Sequence, residues 1–197
     1  MSSLLQDFEI EDLLRSNPPL IRGFDTSILA REQSPIKGAS LDLTIGEIYV
    51  PGAKPKSLGG IRNPRKELSL ESGQTAVLRS AEILQMPKDV AGIGFPPSTR
   101  VSLAGILSTN PGHVDPDYHG HLHLTVVNMG GDSFYLKSGA RLMRLMLFRL
   151  DRDVRDAVGE PPSPLTEELL GRLSSDFLDV EKRARKAAQA EELRLRS

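Results

Sequence analysis

No cysteine occurs anywhere in the 197 residues, so disulfides, thiolate metal sites and thiol nucleophiles are excluded together. An excess of charge of one sign is also missing. Twenty-five Lys and Arg against 26 Asp and Glu give a formal charge of −1, so bulk attraction to nucleic acid or to an anionic membrane is not a driving force. Neither is expected as a partner, and any polyanion must be met locally. No apolar run approaches the ~20 residues needed to cross a bilayer. The N-terminal MSSLLQDFEIEDLL carries acids where a signal peptide needs a basic head and an apolar stretch. A cytoplasmic protein is the expectation. What is present is the composition of a globular protein, 39% hydrophobic and 26% charged. At this size folding hides about 70% of the unfolded surface, enough for a core without covalent staples.

Residues 7–15, DFEIEDLLR, place Phe8, Ile10, Leu13 and Leu14 at helical spacing, with Asp7 as N-cap and Pro18-Pro19 beyond the end. From there to about residue 150, frequent Gly and Pro punctuate short apolar runs. Residues 39–45, ASLDLTI, alternate strictly, as a strand with one buried face does, and 121–127, HLHLTVV, does the same with His121, His123 and Thr125 on the polar side. Further strands are expected at 47–50, 75–79, 90–95, 101–108, 133–137 and 141–150. Many short strands with almost no helix between them predict an all-β sandwich or barrel. Segment 51–66, rich in Pro, Gly and basic residues, reads as an exposed loop. After Leu150 the chain changes character: 158–165 is a Pro-marked linker, and 166–196 has Leu169, Leu170, Leu173, Phe177 and Val180 at helical steps before a run of charge and alanine. The expected organisation is therefore a β domain with its N-terminal helix over 1–150, and a linker with a charged helical tail over 151–197.

Chemistry-bearing residues concentrate in one window, NPGHVDPDYHGHLH, which holds His113, His119, His121 and His123 with Asp115 and Asp117 between them. His121 and His123 share a strand face, and a His-x-His pair with a carboxylate can hold zinc; the same residues also fit the polar side of a half-buried strand, and no third ligand is fixed by spacing. Asp115, Asp117 and Tyr118 lie on a turn at the mouth of a strand, a placement that aims an acid or base at a ligand. Asp-Pro-Asp also shapes turns with no further role.

The same window resembles the third motif of the trimeric dUTPase and dCTP deaminase superfamily. The resemblance extends in order along about 7–150. Gly38-Ala39-Ser40-Leu41-Asp42-Leu43 is similar to the first motif, Glu71-Ser72-Gly73-Gln74-Thr75 to the turn before the second, Leu84-Gln85-Met86-Pro87 to its strand end, Pro96-Pro97-Ser98-Thr99-Arg100 to the second motif itself, and Gly139-Ala140-Arg141-Leu142 to the fourth. It implies a mainly β protein with a distorted barrel or jelly roll of the dUTPase type, assembled as a homotrimer with active sites between subunits. It also implies a deoxypyrimidine nucleoside triphosphate as ligand, with Mg2+ carried by the triphosphate and no metal ligand from the protein. On that resemblance Asp115 is the catalytic residue that orients the attacking water, Tyr118 packs on the sugar, and Ser98 binds phosphate. Arg141 is either a phosphate contact or a salt-bridged barrel residue, and Asp42 either a ligand contact or a structural one.

Three departures qualify the implied activity. Deaminating members carry a glutamate where this chain has Thr125, and a hydroxyl is a poor proton shuttle near neutral pH. The arginine usual before the second-motif serine is replaced by Pro97, which has neither a guanidinium nor a backbone N–H to offer; Arg100 is a candidate substitute. Arg144 stands where glutamine is common, and the glycine-rich C-terminal lid of dUTPases has no counterpart. The expected activity is hydrolysis of dUTP to dUMP and pyrophosphate. Deamination of dCTP through a non-standard site and an inactive nucleotide-binding regulator are the alternatives.

Overall fold

The computed structural model describes residues 3–30, 34–97, 101–109, 113–155 and 165–176, with the single positions Ala184, Ala188 and Arg194. In chain order the elements are β1 (Ser3–Leu4), α1 (Asp7–Arg15), a 3-10 turn (Thr26–Ala30), β2 (Leu41–Tyr49), β3 (Glu67–Leu70), β4 (Thr75–Ser80), β5 (Leu84–Gln85), β6 (Val90–Phe95), β7 (Ile106–Ser108), β8 (His113–Val114), β9 (His119–Gly120), β10 (His123–Asn128), β11 (Phe134–Lys137), β12 (Arg141–Arg149) and α2 (Glu167–Arg172). The main sheet runs β7-β10-β4-β2-β12-β6-β8, with β1 added to β12 and two short ribbons, β11-β3 and β5-β9, beside it. Its edge strands β7 and β8 are neighbours in the chain, which the sheet accommodates by curling into a half-barrel.

The long strand β2 shows how the sequence produces that curl. Leu41, Leu43 and Ile45 are buried on the inner face, but beyond Gly46 the phase changes and Ile48 is the inward residue. A bulge at Ile45/Glu47 absorbs the extra residue. Gly46 is required there, since a Cβ would lie 2.9 Å from the Ala81 Cα and the Ser80 carbonyl. The bulge lets one strand pair with β12 along its first half and with β4 along its second. The two strands expected at 39–45 and 47–50 are therefore one.

Inside the curl, Leu78, Leu124, Met143, Leu145 and Leu147 meet Leu43 and Ile48, and α1 closes one side with Ile10, Leu13 and Leu14. The helix spans the residues expected, but its N-cap is Gln6, whose backbone N–H donates to Glu9 Oε2 at 3.0 Å, and not Asp7. The expected strand 101–108 contracts to Ile106–Ser108.

The tail differs most from expectation. α2 ends at Arg172, with Leu173 already extended, and the following residues pair with the sheet: Thr75 N–H donates to the Ser175 carbonyl at 3.2 Å, and Gln74 bridges to Asp176. Helix propagation gives way because a strand-like segment satisfies the backbone of both partners. Phe177, Val180 and the cluster Lys182, Arg183, Arg185 and Lys186 lie outside the described residues. Within α2, Leu170 is buried against Tyr49 and Val77 on the outer face of the sheet. Leu170→Ala is expected to cost about 2 kcal/mol, the low end for a buried leucine because the cluster is small, read as a lower urea midpoint.

Candidate functional site

Pairing of β2 with β12 sets Asp42 opposite Arg144, and directly opposed residues share a face. A second bulge, between Arg141 and Met143, turns Arg141 toward that same face. Asp42 is 4% exposed. Its Oδ1 accepts a hydrogen bond from Arg144 Nε at 2.9 Å. Its Oδ2 lies 3.0 Å from Arg141 Nε, but that N–H is not aimed at it, so the contact is ionic and Oδ2 lacks a hydrogen-bond donor. Both guanidiniums remain about half exposed. A cavity of about 390 Å³ opens beside them, lined by Arg141, Arg144, Ala140, Pro97 and Val101 before it reaches core side chains such as Ile45. Two guanidiniums on one carboxylate leave net positive charge at the cavity, the chemistry of an anion site.

The second group of candidates is on the turn between β8 and β9. Asp117 takes a left-handed backbone conformation (φ +64°), and Tyr118 N–H donates to the Asp115 carbonyl at 3.2 Å. Asp115 is partly exposed, with Oδ1 2.5 Å from His113 Nε2. Tyr118 packs its ring on the core and donates its hydroxyl to the His121 carbonyl at 2.6 Å. Burial pushes its pKa up to about 12, so it is a neutral wall and not an acid or base near pH 7. The two groups do not meet within one chain. Asp115 continues β8 beyond Val114, level with Ala91 and Phe148, so it lies about 13 Å further along the sheet than Arg144 and two strands across.

The remaining expected residues fall elsewhere. Ser98 and Arg100 lie outside the described residues, although Pro97 lines the cavity with Arg141. The histidines do not converge. His119 sits 3.4 Å from Asp117 and His121 Nδ1 lies 2.9 Å from the Ser80 carbonyl, while His123 joins a row across the outer face with Arg79 and Glu47. Among the described residues, no group of three or more His, Asp or Glu side chains is arranged to hold a metal ion. Thr125 lies on the same outer face, opposite Val77, and its backbone is paired with Thr109. The carboxylate nearest along that face, Glu47, is already engaged by Arg79 at 2.9 Å and by the Tyr49 hydroxyl at 2.5 Å. Sequence reading missed the partnership of Arg144 with Asp42; its only sequence signal is the arginine where the resembling family has glutamine.

A curled antiparallel half-barrel with a cationic rim over a buried carboxylate and an Asp-Tyr turn on a neighbouring edge defines a β-fold nucleotide-site class of protein. The dCTP deaminase-like family profile matches residues 4–150, and the chain belongs to that family. Relatives include a probable deoxyuridine 5'-triphosphate nucleotidohydrolase of Methanococcoides burtonii, 28% identical over 78% of this chain and 93% of the relative. Another, of Methanosarcina mazei, is 29% identical over 78% and 92%. Among solved structures, the 2'-deoxycytidine 5'-triphosphate deaminase from Agrobacterium tumefaciens shares the fold at a TM-score of 0.57 and 19% identity, over 75% of this chain. This chain spans 49% of that one.

The outer-face row carries a pH dependence. Burial holds the His123 pKa below its ordinary 6.5, and Arg79 and His121 lower it further. The folded state keeps His123 neutral over a range where the unfolded chain already takes up a proton. Its contribution to stability is present above pH 6.5 and is lost as pH falls toward the lowered folded value. Melting temperature is expected to drop from about pH 7 to about pH 5, with His123→Gln flattening that decline.

Proposed function

We propose that this chain hydrolyses dUTP to dUMP and pyrophosphate. The observation that carries the reading is the matched pair Asp115 and Tyr118 combined with Thr125 at the position of the deaminase glutamate. Phosphoryl transfer asks for a positioned water and for positive charge around the phosphates. A partly exposed carboxylate at Asp115 suits the first task and the arginines over Asp42 suit the second. Tyr118, neutral and fixed, fits the sugar as a flat wall that leaves no room for a 2'-hydroxyl. Ser98 and Arg141 are assigned to phosphate, with Arg100 as a further candidate. The substrate is the Mg2+ complex of dUTP. Asp42 is already neutralised by arginine, and the described residues offer no carboxylate cage, so the cation is held by phosphate oxygens and water.

The reading includes a homotrimer, because a single chain leaves Asp115 too far from Arg141 for one triphosphate to touch both. Phe95, Leu103, Leu107 and Tyr135, all exposed in the single chain, supply apolar surface for such an interface. A cytoplasmic location goes with this substrate. The outer helical tail, 151–197, is assigned a packing role outside the 1–150 domain.

The test is incubation with dUTP and with dCTP plus Mg2+, followed by separation of products. Expected are dUMP and pyrophosphate from dUTP, with no dUTP formed from dCTP; formation of dUTP from dCTP makes the protein a deaminase, and binding without turnover makes it a regulator. Asp115→Asn is expected to lower kcat by about a hundredfold or more while dUTP still binds. Sedimentation is expected near three times 21.6 kDa, and a stable monomer at micromolar concentration contradicts the shared site.

A further inference from the structure

Phosphate sites in this chain face a deficit at Pro97, where a guanidinium next to Ser98 is absent and even the backbone N–H is missing. The segment carrying Pro97 leaves the sheet from Phe95, the last residue of β6, and Phe95 is the direct partner of Arg144 on β12. Asp42, Arg144 and Phe95 thus form one row across three adjacent strands, on one face. Pro97 and Arg144 line the same cavity. The arginine on β12 therefore stands beside the start of the segment that lacks one.

Its orientation is fixed in a manner suited to a ligand. Asp42 holds Arg144 through Nε alone, at 2.9 Å. A guanidinium has five N–H donors, and no other hydrogen bond of Arg144 is found among the described residues. The terminal N–H groups are left to donate outward from a side chain that is 42% exposed. Arg141 already sits against the same buried carboxylate, so neutralising Asp42 does not require Arg144.

We propose that Arg144, held by Asp42, is a triphosphate-binding residue that supplies the guanidinium Pro97 cannot. The inference rests on the triphosphate reading above, and it commits to the phosphates, not the base or sugar, as the groups Arg144 contacts. Asp42 acts as the positioning residue.

The test measures binding of the non-hydrolysable α,β-imido analogue of dUTP, and separately of dUMP, to the full chain by calorimetry. Arg144→Gln is expected to weaken the analogue about ten- to a hundredfold, the usual range for losing a charge-assisted hydrogen bond, while dUMP affinity and melting temperature stay near wild type. Adding Pro97→Arg to Arg144→Gln is expected to recover part of the analogue's affinity, and Arg144→Lys to lose less than Arg144→Gln. Unchanged analogue binding in Arg144→Gln overturns the proposal. So does an equal loss for analogue and dUMP with a lowered melting temperature, which marks a purely structural arginine, and so does a wild-type protein that binds no triphosphate. Wild type that binds the analogue but never turns over dUTP removes the hydrolase reading and leaves this one standing.

Discussion

A carboxylate taken out of water must keep positive charge beside it, and Asp42 imposes that condition on the middle of the sheet. Removing one partner of a buried pair typically costs about 3–5 kcal/mol, which is a large share of a small domain's stability. The requirement is met by two arginines on one strand, and they reach the same face only because β12 bulges between Arg141 and Met143. Register of β2 against β12, the bulge and the direction of both guanidiniums are thus coupled. A slip of one residue would bury the arginines against Leu41 and Leu43 and expose those leucines.

A second consequence is the division of the sheet into two faces with different work. Inward, aliphatic side chains from β2, β4, β10 and β12 close on α1. Outward, one region is covered by Leu170 of the tail and the next is a polar row of Glu47, Arg79 and His123. The Gly46 bulge puts Glu47 and Tyr49 on the outer side, where unbroken alternation would have turned them into the core. Both bulges on β2 and its partner therefore serve one end: each brings a charged residue to a place where a partner waits.

Much of this was legible in the sequence wherever the determining contacts are local. Alternation in 39–45 and 121–127 and the helical spacing of Ile10, Leu13 and Leu14 report which face is buried, and burial is what the structure shows. The Asp115–Tyr118 turn is likewise a matter of a few adjacent residues. The pairing of Asp42 with Arg144 spans 102 positions, and nothing in either segment alone announces the other. The tail was read as a continuous helix because helical spacing of Leu169, Leu170 and Leu173 takes no account of an unfilled strand neighbour at Gln74 and Thr75. Competition from tertiary hydrogen bonds then decides the conformation of Ser174 to Asp176.

Tyr118 is bolted at both ends: its ring packs on the core and its hydroxyl is committed to the His121 carbonyl. A side chain so held does not swing aside for a bulkier ligand. On the proposed reading, choice of sugar is then made by excluded volume, and contact with phosphate by charge. The two kinds of selectivity separate under changing conditions. Added salt screens the arginines and weakens every triphosphate alike, whereas a steric wall is indifferent to ionic strength and, with a hydroxyl that titrates only near pH 12, to acidity as well. Discrimination between deoxyribose and ribose would therefore survive conditions in which affinity itself has largely gone.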